Sequence, residues 1–78
     1  MKRKVYLTFP PNLIREPLIY EVGNRFDVVT NVRSASITKE VGLVGLEFQG
    51  EATEIGHAID YLKLKGVTVE RVEMNVVE

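Results

Sequence analysis

Apolar residues recur at every second position in four short stretches of this chain, and at helical spacing in the two stretches that separate them. The resulting order, strand, helix, strand, strand, helix, strand, restricts the available folds more than any other feature. The first stretch, Lys2 to Phe9, places Val5, Leu7 and Phe9 on one face and Tyr6 and Thr8 on the other. Pro10-Pro11-Asn12 ends it. Pro17 suits the first turn of a helix, where its missing N–H costs nothing, which predicts a helix from about Glu16. Leu18, Ile19, Val22 and Phe26 then share one apolar arc, and Gly23 and Asn24 keep the helix short.

A second strand is expected from Asp27 to Ile37, with Val28, Thr30 and Val32 on one face and Val29, Asn31 and Arg33 on the other. Ser34 to Ser36 carries no bulky side chain, and Thr38-Lys39-Glu40 predicts a hairpin turn. The third strand, Val41 to Gln49, sets Val44, Leu46 and Phe48 against Leu43, Gly45, Glu47 and Gln49. Gly42 and Gly45 mark a bulge or a close backbone approach. A second helix fits between Gly50 and Gly66, with Ala52, Ile55, Ala58, Ile59 and Leu62 as its buried stripe. Glu51 and Glu54 favour its positive N-terminal end. The last strand starts at Val67, with Val67 and Val69 inward and Val72, Met74 and Val76 of opposite parity.

Two strand–helix–strand units joined by a hairpin define an α+β, ferredoxin-like βαββαβ fold. Right-handed crossovers give a four-stranded antiparallel sheet in the order 4-1-3-2, with both helices on one face. Residues 1–78 read as a single domain, since no linker divides them. The other face is left uncovered and is expected to present Tyr6, Thr8, Val29, Asn31, Val41, Leu43, Gly45, Val72 and Met74. That set is too apolar for a wholly solvated surface, and such a patch marks an interface or a ligand site.

Composition narrows the function classes. A domain of 78 residues buries about 60% of its unfolded surface, so a monomer is marginal and self-association is a common remedy. Ten basic and eleven acidic residues leave a net charge of −1, which offers no field for a phosphate backbone. Nucleic acid is further disfavoured because Tyr6 is the lone aromatic on the open face. The absence of cysteine excludes disulfides and thiolate metal sites and is compatible with a reducing, cytoplasmic setting. No stretch approaches the roughly 20 apolar residues of a membrane helix. Met1-Lys2-Arg3-Lys4 is followed by alternation and then Pro10-Pro11, not by the uninterrupted apolar run that a signal peptide needs, so the stretch reads as a strand.

The search for reactive groups points away from an enzyme. His57, the one histidine, falls opposite the apolar stripe of its helix, and its spacing from Glu54, Asp60 and Tyr61 matches no metal motif. Ser34 and Ser36 have no histidine in context, and Gly42-Leu43-Val44-Gly45 lies within a strand and lacks a P-loop lysine. No catalytic residue, metal or other cofactor is expected. The ligand or interface candidates are Tyr6, Asn31, Arg33, Leu43, Gly45 and Met74. Asn31 offers a short amide to a ligand's ammonium or carboxylate, to a partner strand, or to a local turn. Arg33 suits a carboxylate ligand or an edge charge that discourages unwanted pairing.

The chain resembles the NIL domain family over nearly its whole length. The resemblance lies in Val5-Tyr6-Leu7-Thr8-Phe9, in Glu16-Pro17 with Leu18 to Phe26, and in Asp27 to Arg33. It continues through Gly45-Leu46-Glu47-Phe48-Gln49-Gly50 and from Tyr61-Leu62 to Gly66-Val67-Thr68-Val69-Glu70. Of the family's Asn-Ile-Leu signature only Asn31 is kept, with Val32 in place of isoleucine and Arg33 in place of leucine. The resemblance implies a homodimer and a methionine-like amino acid as ligand. It also implies a regulatory role toward a transporter ATPase or a protein of sulfur amino acid metabolism. A complete chain corresponds to the free-standing members, and a fragment to the regulatory part of methionine importers.

Overall fold

A computed structural model describes residues 1–72. The elements are β1 (Lys2–Phe9), a single 3-10 turn (Pro11–Leu13), α1 (Leu18–Arg25), β2 (Val28–Ile37), β3 (Gly42–Gly50), α2 (Ala52–Lys65) and β4 (Thr68–Arg71). The strands form one antiparallel sheet in the order β2-β3-β1-β4, which is the expected ferredoxin-like arrangement read from its other end. Met74 and Val76, assigned above to the last strand, lie outside the described residues.

The inner face carries the core. Val5 pairs with Leu46 and Leu7 with Val44, and Phe48 follows with the same parity. All five are buried, against Ile55, Ala58, Ile59 and Leu62 of α2 and Leu18 and Val22 of α1. This follows the expected stripes except at Ala52, which is exposed as the first residue of its helix. Gly66 adopts φ 112°, a left-handed conformation open to glycine without a Cβ penalty. Its N–H donates to the Lys63 carbonyl and the Val67 N–H to that of Leu62, which satisfies the last turn and turns Val67 into the core.

Helix α1 begins at Leu18, later than the expected start near Glu16. A proline disfavours helical backbone in the residue before it, which excludes Glu16. Pro17 itself, at φ −79° and ψ 56°, stands outside the helix and accepts the first helical hydrogen bond from the Glu21 N–H. The helix covers only the first half of β2. Val28 is buried, whereas every residue from Asn31 to Glu40 is exposed.

Strand β2 also departs from simple alternation. Val32 pairs with Leu46 and Ser34 with Gly45, so Arg33 is an extra residue in a β-bulge. Beyond it the parity reverses. Ser34 and Ser36 join the outer face, while Ala35 and Ile37 pair with Val44 and Gly42 of the inner one.

Candidate functional site

Pairing register arranges the outer face as parallel rows that cross the strands. Glu70, Tyr6, Gly45 and Ser34 form the central row, one residue from each strand. On one side lies the row Thr68, Thr8, Leu43 and Ser36. On the other, Lys4 pairs with Glu47, and Glu47 with Asn31.

Gly45 is the crowded point of this surface. A Cβ there would stand 2.6 Å from Ser34 Oγ and 3.3 Å from Tyr6 Cε1. The glycine thus lets the tyrosine ring and the serine hydroxyl close over the β3 backbone. Of the two alternatives for Gly45, bulge or close approach, the second describes the glycine itself. The bulge sits beside it, on the partner strand.

Two shallow hollows meet at the Tyr6–Gly45–Ser34 contact. The larger, about 380 Å³, runs from Glu70 past Tyr6 to Ser34, Ser36 and Leu43. The smaller, about 180 Å³, is bounded by Lys4, Arg33 and Val72. The groove therefore holds one carboxylate, Glu70, beside the meeting point and two cations, Lys4 and Arg33, in the smaller hollow, with Tyr6 and Leu43 as its apolar walls. Tyr6 is 56% exposed and Leu43 47%, enough for a ligand to reach both.

The other sequence candidates are distributed as follows. Arg33 Nη1 donates to Glu47 Oε1 at 3.4 Å and is half exposed, so the guanidinium stands on the outer face as alternation from Asn31 predicts. Asn31 is exposed opposite Glu47, and its amide has no hydrogen-bond partner among the described residues. Val29 is exposed beyond it, Val41 precedes β3, and Met74 lies outside the described residues. The outer face is more polar than the apolar patch expected from alternation. Ser34, Ser36, Lys4 and Glu70 all belong to it, and none was among the candidates. Glu70 was accessible from its alternation with Val69. The serines were hidden by the bulge.

His57 is exposed on α2, with Nδ1 3.5 Å from Glu54 Oε2. The Glu54 carboxylate also accepts the Asp27 N–H at 2.9 Å, which ties α2 to the start of β2. Tyr61 donates its hydroxyl to Glu21 and packs edge-on to Phe26, joining the two helices. Among the described residues, no three His, Asp or Glu side chains converge to hold a metal, and no helix is long and apolar enough to cross a membrane.

A family model described as the NIL domain matches residues 3–71. The chain belongs to the NIL domain family. Methionine import ATP-binding protein MetN 1 of Bacillus anthracis is 36% identical over 70 residues, which are 85% of this chain and 20% of that protein. The protein of the same name from Bacillus licheniformis is 29% identical over 76 residues, covering 92% and 23%. This NIL domain thus spans about a fifth of the length of the curated relatives it matches. Among solved structures, the C-terminal domain of an ABC transporter ATP-binding protein from Enterococcus faecalis has a TM-score of 0.81 at 21% identity. The match covers 94% of this chain and 86% of that one, and it supports the same fold. Within this NIL domain, the signature position held by Arg33 coincides with the bulged residue.

Proposed function

We propose that this NIL domain is a non-catalytic regulatory module that binds a methionine-like amino acid on its outer sheet face. The observation that carries the reading is the relationship, over 85% of the chain, to proteins named for methionine import. The groove supports it physically. It offers neighbouring charges of both signs and, leading away from them, an apolar wall of Tyr6 and Leu43, as a zwitterion with a thioether side chain requires. Arg33, Tyr6, Leu43 and Gly45 frame it, and Asn31 stands outside its lining, opposite Glu47; the partner acted upon is a transporter ATPase or a protein of sulfur amino acid metabolism.

Self-association belongs to the same reading. β2 is an edge strand, and Val32 and Ile37 are 50% and 60% exposed on its inner side. An exposed strand edge with apolar neighbours is a template for pairing. Sedimentation over a range of concentrations is expected to show a homodimer, and a monomer at high concentration would remove that element.

Thermal melting with methionine tests the ligand. At about 100 times the dissociation constant a bound ligand adds about 2.7 kcal/mol of stability. Asn31→Ala is expected to weaken that response while changing the stability of the free chain by less than about 0.5 kcal/mol. Undiminished affinity would discard Asn31 as a contact. A second reading, an interaction domain without a small-molecule ligand, rests on the uncovered half of β2. It is favoured if no sulfur amino acid shifts the melt.

A further inference from the structure

The groove carries one carboxylate, Glu70, to which the functional reading above assigns no role. Glu70 is exposed on β4 directly opposite Tyr6, and its carboxylate has no ion-pair partner among the described residues. Lys4 precedes Tyr6 by two residues on β1 and is therefore the diagonal neighbour of Glu70 on the same face. Diagonal positions of this kind lie about 7–8 Å apart. Lys4 likewise has no carboxylate within ion-pair distance among the described residues, whereas Arg33 is already engaged by Glu47.

We propose that Glu70 accepts the ammonium of the bound amino acid and Lys4 attracts its carboxylate, so that the groove selects zwitterions. This rests on the ligand-binding reading above and deepens it. The two charges are not paired with each other, and their positions are close enough for the two charged groups of an α-amino acid to bridge them. From that anchor the ligand's side chain runs past Tyr6 toward Leu43 and the serines of β2, along the larger hollow. Because Tyr6 and Ser34 already close over Gly45, the passage is a shallow slot, and an unbranched chain fits it better than a branched one.

The test compares three probes by thermal melting and calorimetry: methionine, methionine lacking its amino group, and methionine lacking its carboxyl group. The unaltered chain is expected to prefer methionine to either truncated probe by about tenfold or more, the scale of one charge-assisted hydrogen bond. Glu70→Gln should weaken methionine by a similar factor and abolish the preference over the probe without the amino group. Lys4→Gln should instead abolish the preference over the probe without the carboxyl group. Both residues are exposed, and the far-ultraviolet circular dichroism of each variant checks that the fold is kept. A Glu70→Gln chain that retains the full preference for the amino group overturns the assignment and leaves the ligand reading intact. An unaltered chain that fails to respond to methionine overturns both.

Discussion

Along β1, adjacent residues meet opposite conditions. Val5 and Leu7 are each 1% exposed beneath the helices, while Tyr6 between them is 56% exposed on the other side. The inner face is built from many interchangeable apolar contacts, and its stability is spread over all of them. The outer face has few apolar groups and depends on where a small number of polar side chains stand. A substitution inside should therefore act on stability, and one outside on recognition.

The strongest way to break this contrast is at Phe48, which is wholly buried in the centre of the inner face. Phe48→Ala removes a ring and leaves a cavity, which costs about 3–5 kcal/mol. A chain of this size is stable by only about 4–12 kcal/mol. Chemical denaturation should thus show a large fall in midpoint, with much of the variant unfolded near body temperature. A loss below about 1 kcal/mol would mean that the helices do not pack on β3 as described.

Gly45 sharpens the comparison because it is buried on the recognition side. In Gly45→Ala the new methyl meets the Ser34 hydroxyl and the Tyr6 ring. The hydroxyl can rotate away, so the expected cost is about 1 kcal/mol, at the low end for overpacking. Adding Ser34→Ala should recover most of it, since the two side chains compete for one space. Purely additive losses in the double variant, read by denaturation, would show that the contact is not the cause.

The inner face was legible in the sequence because bulky apolar residues alternate with polar ones through Val5-Leu7-Phe9 and Val44-Leu46-Phe48. Gly66 likewise announced the end of α2, since glycine is the residue that a left-handed cap favours. The outer face was harder to read. In Ser34-Ala35-Ser36 neither parity carries a large side chain, so nothing in that stretch reveals which residues point outward. The bulge reverses the parity just where the pattern is weakest. The short cover provided by α1 was also only partly visible. Gly23 and Asn24 indicated a short helix, but not that Val32 and Ile37 would be left exposed.

The bulge yields the smallest expected effect and the most specific one. Arg33 is the residue without an opposite number, so deleting it should leave Val32 on Leu46 and Ser34 on Gly45. The chain would lose the weak surface pair between Arg33 and Glu47, at a cost of about 0–1 kcal/mol. Contacts between Ser34 and Gly45 in nuclear Overhauser spectra should persist. Deleting Asn31 instead forces a choice. If the distal pairs are kept, Val32 moves to the outer face and Arg33 is driven inward opposite Leu46, a change that should cost more than losing Arg33. Equal losses for the two deletions would place the irregularity somewhere other than Arg33, and with it the serines that line the groove.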